Sequence, residues 1–364
     1  QKQPVEISSF ALLNDYLTII SNENNANAFL SSIPELFANS VFLSVEKEET
    51  AIFPDFRNVF FSQLENLDLA NIEIILHHLY FFSELSHHYC QIFDFPEIPQ
   101  IFPLLLRFTE IKSIEINLHI LTILINLLQL FPEQIYKFFV EHLEQLRTPK
   151  DDPQIFIKII NFYDRFINMW KPITIDPITE INVIIRFFMQ YVFEEFVTME
   201  ILERIALLTK SILFCFPNHF ISSFDKHFVL LFEYLISISM NESEVPHSHS
   251  ILSIVLGTII TLTSDRIPQH LVPHLTPLFE EFDLSLFGLL LSYPSAMILN
   301  LTISCSRNFL LCGYPHRFSA STINCFLIHF YDMQFENLVE LALFFLHYTI
   351  LAPTEIKITF MSDS

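Results

Sequence analysis

The chain has 364 residues, 51% of them apolar, with 41 phenylalanines; that is too apolar and aromatic for a disordered segment, and long enough for two ordinary domains or one extended repeat array. Its 41 acidic residues against 19 basic ones give a net charge of -22, so a phosphate backbone meets repulsion and nucleic acid is not an expected partner. Only three glycines occur, each alone at Gly257, Gly288 and Gly313, which excludes glycine-rich phosphate loops, GxSxG elbows and the Asn-Gly or Gly-Gly turns of hairpin-rich β proteins.

Along the chain, apolar residues recur at three- and four-residue spacing, the signature of amphipathic helices. Leu12, Leu13, Tyr16, Leu17 and Ile20 form a first stripe, and Phe29, Ile33, Leu36 and Phe37 a second. The spacing then predicts helices over 55–66, 70–89, 98–109, 113–131, 133–146, 154–169 and 178–194. Further helices are predicted over 199–215, 218–240, 249–263, 268–282, 294–312, 319–330 and 334–350. The breaks are prolines and polar clusters rather than glycines. Two such clusters, Thr148-Pro149-Lys150-Asp151-Asp152-Pro153 and Asn241-Glu242-Ser243-Glu244-Val245-Pro246, place sub-boundaries near 147–153 and 241–248.

A longer period lies over the helices. An apolar residue precedes proline at Phe53-Pro54, Phe95-Pro96, Phe131-Pro132, Phe216-Pro217, Ile267-Pro268 and Tyr314-Pro315. With Pro172 between them, the steps are 42, 36, 40, 45, 51 and 47 residues, a mean of 43.5. Helical-hairpin repeats have periods of about 40–47 residues. One hairpin cannot bury its own apolar face, so hairpins of this period must stack on one another.

Residues 98–131 read IPQIFPLLLRFTEIKSIEINLHILTILINLLQLF. Ile98, Pro99, Leu104 and Leu105 on one helix, with Asn126, Leu127 and Leu128 closing the next, resemble the armadillo arrangement. The scarcity of glycine at the corners leans towards the proline-punctuated HEAT style. The resemblance implies an all-α, right-handed superhelix of seven or eight HEAT/armadillo-like hairpins, with 1–364 as a single α-solenoid domain. In the importin-alpha branch a tryptophan four residues before the asparagine helps clamp basic peptides. Here that position is Thr122, and before Asn300 it is Ala296, while the one tryptophan is Trp170. The tryptophan ladder is therefore not carried over.

The candidates for chemistry are thin. Cys90, Cys215, Cys305, Cys312 and Cys325 are odd in number and widely spaced, which predicts buried reduced thiols rather than a disulfide framework or a zinc site. His270 and His274 have metal-ligand spacing, but Pro268, Pro273 and Pro277 interrupt their helix. His247 and His249 are expected in a polar loop, and the adjacent pairs His77-His78 and His87-His88 diverge on a helix. Glu48-Glu49, Asp151-Asp152, Glu194-Glu195 and Glu280-Glu281 read as solvated charge. No enzyme, no cofactor and no catalytic or metal residue is expected.

Mean hydropathy is +0.42, so membrane association is weighed as a rival. Leu284 to Ser306 is uncharged for 23 residues, yet Pro294 stands at its middle and favours two helices over one span. Residues 1–20 hold neither a basic stretch nor a continuous apolar core, and a cytoplasmic location follows, or a nuclear one for a transport receptor. The leading expectation is a non-enzymatic scaffold for extended or helical protein partners carrying basic segments. A karyopherin-like nuclear-transport receptor and a membrane-associated helical protein are the alternatives. Within QYVFEEFVTMEILER (190–204), Glu194, Glu195 and Glu200 are the expected partner-binding carboxylates.

Overall fold

A computed structural model describes residues 53–88, 90–93, 101–147, 152–169, 177–216, 226–241, 246–262, 295–311 and 335–351. The two stripes before residue 53, the helices expected at 268–282 and 319–330, and His270, His274, Trp170, Cys312 and Cys325 lie outside them. Among the described residues the fold is all-α, with no strand. The chain divides into two compact units, Gln1–Ile173 and Thr174–Ser364.

The first unit holds α1 (Phe53–Asn66), α2 (Ile72–His88), α3 (Phe102–Phe108), α4 (Ile114–Leu127), α5 (Pro132–Glu141), α6 (Leu143–Leu146) and α7 (Pro153–Asn168). Helix α2 packs on α4 and α4 on α7. These three begin 42 and 39 residues apart, so each lies on the helix about one sequence period away. The buried face of α4 is aliphatic, and aromatic clusters fill the spaces beside α2 and α7. Phe60 meets Phe82 edge-on at 5.4 Å and Phe81 at 6.0 Å, and Phe82 lies 4.9 Å from Phe93. Between α5 and α7, Phe139 stacks on Phe162 at 3.7 Å and Tyr136 on Phe166 at 3.9 Å.

The second unit holds α8 (Pro177–Tyr191), α9 (Met199–Cys215), α10 (Lys226–Asn241), α11 (Pro246–Leu262), α12 (Ala296–Leu311) and α13 (Phe335–Leu351). Here α9 packs on α11, α11 on α12 and α12 on α13, while α10 rests on α11 and α8 on α10. Their contact faces are aliphatic: Ile201, Ile205, Leu208 and Ile212 of α9 and Ile251, Val255, Leu256 and Ile259 of α11 are at most 1% exposed.

Local chemistry sets the boundaries. Pro132 and Pro153 occupy first-turn positions, where a missing N–H costs nothing. Asp152 caps α7, its carboxylate accepting from the N–H groups of Gln154 (2.9 Å) and Ile155 (3.0 Å). Replacing it, Asp152→Ala, is expected to remove about 1 kcal/mol of stability, read as a lower denaturation midpoint; no change would mean that Pro153 alone sets the start of α7. Thr198 caps α9 through its hydroxyl. Between α3 and α4 the chain turns through Lys112 at φ 55°, a left-handed conformation that glycine adopts without strain and that costs a lysine about 1 kcal/mol.

Several boundaries differ from the sequence expectation. The helix expected over 133–146 breaks at His142, which leaves helical geometry at φ -117° and ψ 15°. The helix expected to 131 ends at Leu127, where the Leu130 N–H bonds back to the Leu127 carbonyl at 2.9 Å, and Phe131, before a proline, lies outside the α region. Helix α11 starts at Pro246, so His247 and His249 stand in its first turn and not in a loop. Helix α8 stops at Tyr191, before the carboxylates at 194 and 195.

Candidate functional site

The three expected carboxylates fall on one corner of the second unit. Glu194 and Glu195 are exposed in the turn between α8 and α9, a turn held by the Glu194 N–H on the Tyr191 carbonyl and the Val197 N–H on the Glu194 carbonyl, each 3.0 Å. Glu200 is exposed in the first turn of α9, where the helix dipole favours a negative charge. Its Oε1 accepts from Arg204 Nη2 at 3.1 Å, an exposed pair one helical turn long and worth well under about 1 kcal/mol.

One large apolar side chain shares that corner, and two more lie farther along α9. Phe193 is 61% exposed in the turn, its ring edge-on to Tyr234 of α10 at 4.6 Å. Leu207 is 44% and Phe214 86% exposed. Glu200, Leu207 and Phe214 are spaced by seven, which puts them on one side of α9, with exposed Lys210 between them. This side of α9 thus carries a carboxylate at its start and large apolar groups two and four turns on.

Next to it is a cluster that sequence reasoning missed. Glu203 of α9 takes His247 Nδ1–H on Oε2 at 2.6 Å and the Ser250 hydroxyl on Oε1, both from α11. Burial alone would raise the Glu203 carboxyl, but the hydrogen bonds from Ser250 and His247 and the charges of His247 and Arg204 outweigh it and hold it below the ordinary range. No local pattern signals it, because the partners are 44 and 47 residues apart in the chain. Chemically this is a bracket between helices. The Ser250 hydroxyl and the imidazole both donate to the one carboxylate, which ties α9 to α11.

In the first unit, the asparagine that carries the armadillo resemblance is taken up internally. Asn126 is 9% exposed, and its Nδ2 donates to the Ser83 carbonyl and the Ser86 hydroxyl of α2, both at 3.1 Å. Thr122, in the tryptophan position, turns its hydroxyl back onto the Leu118 carbonyl at 2.7 Å. Asn308 makes a similar bond from α12 to the Ile260 carbonyl of α11 at 3.3 Å. These amides join neighbouring helices. Gln129 extends the α2–α4 seam by donating to Cys90 Sγ at 2.7 Å; Cys90 and Cys305 are buried and free, and burial raises the Cys305 thiol.

Open clefts among the described residues include the following. One of about 590 Å³ lies between α4 and α7 beside Gln129, Asn161, Asp164 and Arg165. One of about 380 Å³ is lined by Arg107, Glu110 and Lys112 at the α3–α4 corner. The third, about 360 Å³, runs between the end of α1 and the start of α2, with Gln63, Asn66, Asp68 and His78 on its walls. Among the described residues no three His, Cys, Asp or Glu side chains are placed to hold a metal, and no helix is long and apolar enough to cross a membrane. Of Leu284–Ser306, only the part from Ser295 is described, and α12 begins at Ala296. Compared with known protein families, characterised proteins and solved structures, the chain matches none.

Proposed function

We propose that this protein is a non-enzymatic interaction scaffold of the HEAT/armadillo kind, binding Lys/Arg-rich segments of partner proteins. The observation that carries the reading is the α8–α9 corner, where exposed Glu194, Glu195 and Glu200 stand with exposed Phe193, and from which exposed Leu207 and Phe214 continue along one side of α9. A net charge of -22 draws basic ligands from a distance and speeds their encounter. Exposed aromatic and aliphatic groups then supply the desolvated anchors that hold a partner once docked. The packing of helices about one period apart supports the stacked-hairpin frame on which such a surface is displayed.

The test compares a Lys/Arg-rich peptide containing leucine and phenylalanine with an acidic peptide of the same length, by fluorescence anisotropy. The basic peptide is expected to bind at low salt and to weaken as the Debye length falls from about 10 Å at 0.1 M to about 3 Å at 1 M. Replacing Glu194, Glu195 and Glu200 together by glutamine is expected to weaken it about tenfold at 0.1 M and to flatten the salt slope. Unchanged affinity and slope in the triple variant would show this corner to be ordinary surface. Salt-independent binding of the acidic peptide would overturn the electrostatic reading altogether.

A further inference from the structure

In the first unit, three titratable side chains stand in register across consecutive helices. Tyr80 of α2, His119 of α4 and Lys158 of α7 follow one another at 39-residue steps, and α2 packs on α4 and α4 on α7. All three are half-buried. The Tyr80 ring lies edge-on to His119 at 5.6 Å, and the charge of Lys158 acts on the His119 imidazole. The row thus ends at α7 in an amine close to an imidazole.

Lys158 differs from the other lysines whose burial is described. Lys112, Lys137 and Lys210 are exposed, and Lys158 is half-buried. In a chain with 41 acidic residues, it has neither an ion pair nor a hydrogen bond among the described residues. One turn either side of it on α7 stand Gln154, Ile155, Asn161 and Phe162, so its own helix offers no carboxylate. On α4, burial and secondarily Lys158 itself push His119 down to about 4, which leaves the ring neutral at pH 7. Glu115, one turn before His119, is exposed, and Glu84 of α2 acts on Tyr80. Burial without a compensating charge holds the Lys158 ammonium below the ordinary lysine range. The amine is not sealed in: its Nζ, though unbonded, still reaches solvent.

A desolvated lysine without a counter-ion is a nucleophile near neutral pH, because more of it is the free amine. Two reactions suit such an amine, imine formation with an aldehyde and acylation by a thioester. A protonated imine needs a carboxylate beside it, and this site has none. An amide is neutral and removes the half-buried charge. We propose that Lys158 is an acylation site, its Nζ taking the acyl group of a thioester. The nitrogen lone pair forms a bond to the thioester carbonyl carbon. The carbon–sulfur bond breaks with its electrons on sulfur, and the amine proton passes to that thiolate, so the products are an amide and a thiol. The site lies in the first unit and does not depend on what binds at the α8–α9 corner.

The experiment treats the full chain at pH 7.5 with S-acetyl-N-acetylcysteamine, a small uncharged thioester, and follows each lysine by peptide mass spectrometry. Lys158 is expected to react about threefold faster, or more, than Lys112, Lys137 and Lys210, and its rate to level off at a lower pH than theirs. Lys158→Arg is expected to lose the fast acetyl group from the intact chain. Gln154→Glu, an exposed change, sets a carboxylate one turn before Lys158 and is expected to slow it about twofold. Lys158 reacting no faster than the exposed lysines would overturn the site. An unchanged rate in Gln154→Glu would overturn the missing counter-ion as the source of its reactivity. Fast reaction of Lys158 with propanal and cyanoborohydride, but not with the thioester, would overturn the choice of an acyl donor.

Discussion

Phe162→Ala is expected to lower the stability of the first unit by about 3–5 kcal/mol, the range for removing a fully buried aromatic. Phe162 is 0% exposed. Its ring stacks on Phe139 of α5 at 3.7 Å and meets Tyr163 edge-on at 6.1 Å, so truncation forfeits ring contacts on two sides. Stiff aromatic neighbours cannot collapse into the space, and the cavity term adds to the lost transfer energy. Phe162→Leu keeps most of the volume and is expected to cost about 1 kcal/mol. Denaturant titration checks both: the midpoint should fall with unchanged slope. A loss no larger for alanine than for leucine would show that α5 and α7 repack freely and that the stack contributes little.

Acid is expected to destabilise the first unit through His119. The ring lies edge-on to Tyr80 at 5.6 Å, with the Ser83 hydroxyl 3.5 Å from Nδ1. Burial, and secondarily the charge of Lys158, push its imidazole down to about 4. The unfolded chain binds this proton near pH 6.5 and the folded chain only near 4. Stability from this residue is therefore complete above about pH 6.5 and declines as pH falls towards 4, by about 3 kcal/mol in all. Burial lowers His77 and His78 as well, adding to the loss in the same direction. Carboxylates titrate over part of this window, so the informative quantity is the difference between the wild type and His119→Phe at pH 7.5, 5.5 and 4. The variant should lose the His119 share of the slope, and Lys158→Met should shrink it by removing the repulsion. Equal pH slopes in wild type and His119→Phe would show that His119 is solvated.

Helical character was legible in the residues because it depends on short-range spacing. The expectation for α9, 199–215, coincides with Met199–Cys215, since Thr198 caps it and its apolar residues repeat every three or four. Starts at proline were equally readable, as at Pro132 and Pro153, because the imide fixes its own φ and lacks an N–H. The break at His142 was not, because no proline or glycine marks it. Single-sequence periodicity also placed Glu194, Glu195 and Glu200 on a common stretch, and acidity set the style of partner expected for it. Composition and spacing determined that much: an acidic, glycine-poor chain that is all-helical among its described residues.

What Asn126, Glu203 and His78 do was decided by tertiary structure alone. Asn126 carries the armadillo resemblance in sequence, yet its amide faces α2, and only the packing of α4 on α2 settles whether an asparagine reaches a ligand or a neighbouring carbonyl. Glu203 and His247 meet because α9 lies on α11, across 44 residues of chain. The Nε2 of His78 is buried without a hydrogen bond while its own helix takes the other ring nitrogen, a state that depends on what packs around the ring. Helix formation is governed by neighbours three and four residues away, and so it is written locally; burial, hydrogen-bond partners and pKa depend on atoms brought together by packing, which no local pattern encodes.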